Sequence, residues 1–206
     1  MKPRPRRAGS CHRNAGEFMT TDDDDRIVFL LKESKAFFAA VGVDHDLMFK
    51  IFRADTDWEF ILKIDALLET AVKAVIKKSL GFNNNGKFVG GHLDEFIEAL
   101  PVNGRTSLVS LLKKVGCPDD MIALVEAVRR LRNGFAHDIR QVDFKLIEVI
   151  KARGDKASLL RGLSSIANYK EGELIKMYED DGKFLRFGIV DGTLRFLVMA
   201  YHAVLK

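Results

Sequence analysis

Between residues 58 and 80, apolar side chains recur at Trp58, Ile61, Leu62, Ile64, Leu68, Ala71, Val72, Val75 and Ile76. This alternation of three and four marks one face of a helix about six turns long. Thr56 or Asp57 can cap its start and Gly81 can close it. The same period predicts a second strong helix, with Met121, Leu124, Val125, Val128, Leu131 and Phe135 as its stripe. Pro118 suits a first helical position, and Asp119 and Asp120 place carboxylates at the positive end of the helix dipole. The acidic run at 22–25 opens another helix, running to about Ala40 and ended by Gly42. Short helices are predicted at 46–52 and 92–100. One over 106–115 puts Leu108, Leu111, Leu112 and Val115 on one face before Gly116 stops it. Two more are expected over 142–152 and 156–167. Segment 168–190 reads as irregular, with a short helix at 173–178 and a hairpin suggested by the turn dipeptides Asp181-Gly182 and Asp191-Gly192. A last helix over 194–204 is apolar nearly all round, as a helix buried on most faces should be. There is no internal repeat and no strand-like alternation. The expectation is an all-α bundle packing 58–80, 106–115, 118–134 and 193–205 together.

Composition bounds the class. A chain of 206 residues, 47% hydrophobic and 30% charged, can build one domain with a substantial core. No apolar run approaches the roughly 20 residues of a membrane helix, and no secretory pattern follows the basic N-terminus. Cys11 and Cys117 form neither a metal-ligand spacing nor a disulfide framework. The simplest setting is therefore the cytoplasm, with no membrane, metal or cofactor. The net charge of +4 points to nucleic acid only superficially. Lys2, Arg4, Arg6, Arg7 and Arg13 against Glu17 account for all of it, which leaves 19–206 neutral. Residues 1–18 are expected to be a disordered tail or a leader, with Met19 as a plausible start, and 19–206 a single domain.

Several local patterns carry little chemistry. The segment from Gly81 to Lys87 fits a phosphate-cradling loop, but Phe88 stands where Ser or Thr should hold magnesium, and a helix precedes it. His12, His45, His92 and His202 have no helical partner at metal-ligand spacing; His202 reads as a packed or interfacial core histidine. Asp65 and Glu69 share a helix face with Lys73 one turn on, the pattern of a solvated ion-pair ladder. Cys117 reads as a helix cap or buried thiol.

The segment Arg129-Arg130-Leu131-Arg132-Asn133-Gly134-Phe135-Ala136-His137 is different, and Arg140 follows it. Leu124, Val128, Leu131 and Phe135 face the core, so Arg130, Asn133 and His137 share a stripe away from it. Asn133 and His137 are one turn apart, close enough for the amide to orient the imidazole. Arg132 lies about 140° round the helix from His137. The two meet only if the helix loosens at Gly134, the long arginine sweeps across, or a second subunit brings another copy. A twofold homodimer with both motifs in one cleft is the expected assembly. Such a group suits metal-free RNA cleavage. That reaction needs a base for the ribose 2′-hydroxyl, an acid for the leaving oxygen and cations for the phosphorane, and it yields a 2′,3′-cyclic phosphate. Arg132, Asn133 and His137 are the candidate catalytic set, and Arg129, Arg130 and Arg140 the candidate RNA phosphate contacts. The same residues can also simply satisfy carbonyls and charge at a helix C-terminus.

Arg132-Asn133-x-x-x-His137 resembles the signature of the HEPN superfamily: Arg, a polar residue, three variable residues and His at the end of a bundle helix. The context over roughly 50–145 resembles the mannitol operon repressor (MltR-like) branch. There a long helix opening in an acidic cluster, here Asp55-Thr56-Asp57-Trp58, precedes a Leu-rich helix ending in Gly, here Ser107 to Gly116, and then the motif helix. The resemblance implies an HEPN-like helical bundle with additional helices at the N-terminus and between the motif helix and the last helix. It implies either a metal-independent endoribonuclease in toxin, defence or RNA regulation, or a non-catalytic transcriptional regulator working through protein or RNA binding. Two departures stand out. Toxins of this class usually carry Tyr two residues after the His, where this chain has Ile139, and they lack the extra segment 141–190. No helix-turn-helix is evident.

Overall fold

The computed structural model describes residues 21–81, 91–137, 143–164, 171–180 and 182–202. Among them the fold is all-α, with ten helices and no strand. They are α1 (Thr21–Ala40), α2 (Leu47–Phe52), α3 (Asp57–Gly81), α4 (Gly91–Ala99), α5 (Leu108–Lys114), α6 (Asp119–His137), α7 (Leu146–Lys151), α8 (Lys156–Leu163), α9 (Glu171–Asp180) and α10 (Gly182–Ala200). None of the described helices is long and apolar enough to cross a membrane.

The bundle forms around α3, which packs against α2, α4, α5, α6 and α10. Its apolar stripe explains why: Phe60, Ile61, Ile64, Leu68, Ala71, Val72, Val75 and Ile76 are buried, whereas Trp58 and Leu62 lie at its half-buried margin. Thr56 is the cap, its Oγ1 accepting from the Glu59 amide at 3.1 Å. Helix α6 lies between α3 and α8 and buries Ile122, Leu124, Val125, Ala127, Val128, Leu131 and Phe135. A side chain at Gly162 of α8 would put its Cβ 2.7 Å from the Ala123 carbonyl oxygen and 2.9 Å from the Ala127 Cβ. Glycine thus lets α8 approach α6 closely, which brings the α7–α8 turn over the end of α6.

Asp57, one of the two expected caps for α3, has a longer-range role. Its Oδ2 accepts from the Leu146 amide at 2.6 Å and its Oδ1 pairs with Arg186 Nε at 2.6 Å. Arg186 also donates to the Ala54 carbonyl at 2.7 Å and stacks 5.2 Å from the Phe60 ring centre. One carboxylate thereby ties the starts of α3 and α7 to α10. Of the helix expected over 142–152, residues 143–145 are not helical, and Asp57 takes the amide of Leu146, where α7 begins.

The irregular segment and hairpin expected over 168–190 are not found in its described part. Helix α9 is longer than anticipated, and α10 begins at Gly182 and runs straight through Asp191-Gly192. Tertiary packing overrides the turn dipeptide. Asp191 is 3% exposed and pairs with Arg195 one turn on at 3.1 Å. Gly192 admits Leu124, whose side chain would lie 3.3 Å from an added Cβ. Helix α10 is buried on most faces, as expected, packing on α1, α3, α6, α8 and α9. The loop 82–90 lies outside the described residues.

Candidate functional site

Helix α6 continues without a break through Gly134 to His137. The geometry that would bring Arg132 to His137 by loosening the helix is therefore not used. The two remain on opposite shoulders of the helix's exposed face, with Arg132 and Asn133 half-buried and Ala136 and His137 exposed.

On the α3 side, Asp65 organises the arginines. It is 7% exposed, with Oδ1 3.0 Å from Arg129 Nε and Oδ2 3.8 Å from Arg132 Nε. The Arg129 contact is an ion pair without the alignment of a hydrogen bond. Arg129 donates through Nη2 to Glu69, and Glu69 pairs with Lys73 at 3.0 Å. Burial pushes the Asp65 carboxyl above its ordinary range, with Arg129 and Arg132 pulling the other way. At Glu69 burial also acts upward, but hydrogen bonds from Lys73 and Arg129 outweigh it and hold the group below its ordinary value. The solvated ladder expected of Asp65, Glu69 and Lys73 therefore needs correction. The Glu69–Lys73 rung exists, and Asp65 lies inside the bundle, because it falls between Ile61 and Leu68 on the buried stripe.

Arg132 has a second partner. Its Nη1 donates to Asn133 Oδ1 at 3.2 Å. Asn133 therefore holds the guanidinium; the expected contact from its amide to His137 is not among the described hydrogen bonds. Arg129, expected at RNA phosphate, has a side chain only 12% exposed and faces two carboxylates, because its position on α6 turns toward α3. Arg140 lies outside the described residues.

On the α8 side, Arg130 Nη1 lies 3.3 Å from Asp155 Oδ2, and both its Nη atoms lie 3.4 Å from Ser158 Oγ. Arg153, in the turn between α7 and α8, grips the same carboxylate with two bonds, Nε to Oδ1 at 2.8 Å and Nη2 to Oδ2 at 3.1 Å. Its hydrogen bond lowers the Asp155 pKa. Arg153 Nη1 lies 3.4 Å from where a Gly134 Cβ would stand, so it rests directly on the motif helix.

Set against known families, characterised proteins and solved structures, the chain matches none of them. The motif helix carries an exposed imidazole flanked by two separately anchored cations, Arg132 on the Asp65 side and Arg153 on the Asp155 side. An imidazole can move a proton near neutral pH, and a fixed guanidinium can neutralise an anionic oxygen. Sequence reasoning missed Asp65, Asp155 and Arg153. The first carried a signal, an acid inside an apolar stripe. The other two come to α6 only through the α6–α8 packing.

The remaining titratable groups are elsewhere. His202, expected in the core, is exposed at the end of α10, its Nε2 3.0 Å from Glu33. Asp44, His45 and Asp46 bring ligand-type atoms within 4.8 Å of one another, but all three are exposed and Asp44 pairs with Lys50. Burial pushes the Cys117 thiol up to about 11, the behaviour of a packing group.

Proposed function

We propose that the protein is a metal-independent endoribonuclease of HEPN type, with its site at the end of α6. The observation that carries the proposal is an exposed His137 on the same helical end as Arg132, whose guanidinium is anchored by Asp65 and Asn133. In this reaction the ribose 2′-oxygen attacks phosphorus and loses its proton to a base. The bond from phosphorus to the 5′-oxygen breaks, and that oxygen takes a proton from an acid. The products are a 2′,3′-cyclic phosphate and a 5′-hydroxyl end. His137 serves as one proton carrier. Arg132 binds the phosphorane oxygens, and Asn133 positions Arg132.

One imidazole cannot stand on both sides of an in-line displacement. The reading therefore includes a twofold homodimer, in which the partner's copy of α6 supplies the second proton carrier. The test incubates the full chain with total RNA in EDTA and maps the new ends. Ends that appear with the wild type and vanish with His137→Ala support the reading. Identical RNA patterns from the two proteins would remove it.

One observation favours a second reading, a non-catalytic regulator resembling the mannitol operon repressor branch. His137 has no side-chain hydrogen bond among the described residues to orient it, whereas general bases are commonly held by a third group. On that reading the α6 end is a binding face for a protein or RNA. His137→Ala would then leave RNA intact and change only complex formation.

A further inference from the structure

The α6 end carries a cation that the motif itself does not contain. Gly134 and His137 are three residues apart, about 60° round the helix, with Cβ positions about 5–6 Å from each other. Arg153 Nη1 lies 3.4 Å from the Gly134 Cβ position. It is therefore within about 9 Å of the His137 Cβ, and the imidazole projects from that atom. Arg132, by contrast, is about 140° away and held toward α3 by Asp65. Within one chain, Arg153 is on the His137 shoulder of the helix and Arg132 is not.

Among the described residues around Asp155, positive charge is in excess. Arg130 and Arg153 share one carboxylate, Asp155. The nearest acid back along the stripe, Glu126, pairs with Lys113 at 3.0 Å. Two guanidiniums against one carboxylate leave one positive charge. Arg153 makes its two described side-chain hydrogen bonds through Nε and Nη2, so Nη1 has none among the described residues. The bidentate grip of Asp155 fixes the orientation of the guanidinium plane before any ligand arrives. From Arg130 a groove of about 520 Å³ continues between α5, α6 and α8. The Ser107 and Ser110 hydroxyls on its wall close the α5 cap, and Lys113 and Glu126 pair with each other there, so Arg130 and Ser158 are the groups it offers a neighbouring phosphate.

We infer that Arg153, delivered across Gly134 by the α7–α8 turn and oriented by Asp155, binds a backbone phosphate of single-stranded RNA beside His137, with the Arg130 groove taking the neighbouring nucleotide. The inference rests on the ribonuclease reading for its ligand, and it assigns a function to the α7–α8 insertion. A Cβ at Gly134 would only touch the guanidinium, at 3.4 Å, whereas a larger side chain there would push it off the helix.

The test measures binding of a fluorescein-labelled 2′-O-methyl oligoribonucleotide to the full chain by anisotropy over a range of salt. Blocking the 2′-oxygen prevents cleavage, so binding is read separately from chemistry. Arg153→Gln should weaken binding about tenfold and flatten the salt dependence by about 0.7 in the logarithmic slope, the share of one phosphate contact on a single strand. Gly134→Leu keeps every charge but displaces the guanidinium, and should weaken binding similarly. It answers the question if Arg153→Gln fails to fold. Lys35→Gln, an exposed lysine on α1, which packs on α10, should change little. No binding by the wild type, unchanged binding by both site variants, or an equal loss with Lys35→Gln would overturn the inference. His137-dependent cleavage of ordinary RNA that persists in Arg153→Gln at the wild-type rate would overturn it while leaving the nuclease reading in place. Arg153-dependent binding with no cleavage of ordinary RNA would uphold it and end the nuclease reading.

Discussion

Gly162→Ala adds a single methyl group where α8 crosses α6, and its cost can be worked from the contacts. The new Cβ would stand 2.7 Å from a backbone carbonyl oxygen and 2.9 Å from the Ala127 Cβ. Neither neighbour is the end of a flexible chain, so the helices must separate. Overpacking of this kind costs about 1–3 kcal/mol, and contacts this short belong in the upper half of that range. Alanine returns about 1 kcal/mol of helix propensity, leaving a net loss of about 1–2 kcal/mol. For a domain of this size that lowers Tm by about 2–8 °C. Gly188→Ala in α10 is the matched control, since its added Cβ meets only ordinary contacts at 3.8 Å. It should raise stability by up to about 1 kcal/mol. Thermal unfolding followed by circular dichroism reads both. Because α8 carries Ser158 and anchors the turn holding Arg153, Gly162→Ala should also weaken whatever the α6 end binds. A Tm that rises equally in both variants would refute the close α6–α8 approach.

Other predictions concern the ion pairs. Asp57 and Arg186 are each less than a fifth exposed, so Arg186→Met should cost about 3 kcal/mol by leaving Asp57 unpaired, read as a lower midpoint in urea. Glu69 has a folded pKa below its ordinary value. Its contribution is therefore present above the unfolded carboxylate pKa and lost as pH falls through the lower folded value. Glu69→Gln should flatten the acid limb of a stability–pH curve, and a limb identical to wild type would show that Lys73 and Arg129 do not favour its charged form.

Much of the fold was legible because helical periodicity is a local signal. The stripes of α3 and α6, the stop at Gly116 and the nearly all-apolar end of α10 follow from spacing alone. The Asp191-Gly192 dipeptide misled because a turn propensity of this size yields to burial. Asp191 gains Arg195 within the helix, and Gly192 gains the Leu124 contact. His202, expected to be packed or interfacial, sits exposed where α10 ends and reaches Glu33. The motif residues were legible as a group, but their partners were not. Asn133 pairs with Arg132, one residue away, instead of with the histidine one turn on. Asp65 lies 64 residues before Arg129 and Arg153 lies 19 residues after Gly134. Only the packing of α3 and α8 on α6 brings them to the site. Separation in sequence hides such contacts from any rule based on spacing.

The central claim is that the end of α6 cleaves RNA through the ribose 2′-hydroxyl without a metal. Its most direct test uses a DNA oligonucleotide containing one ribonucleotide, incubated with the full chain in EDTA and analysed by mass spectrometry. The account predicts a single cut on the 3′ side of the ribonucleotide, leaving a 2′,3′-cyclic phosphate on one fragment and a 5′-hydroxyl on the other. His137→Ala and Arg132→Ala should each slow the cut about 100-fold or more. An intact oligonucleotide, provided ordinary RNA also survives the same treatment, would contradict the account. So would a cut at a deoxyribose, or cleavage unchanged by His137→Ala.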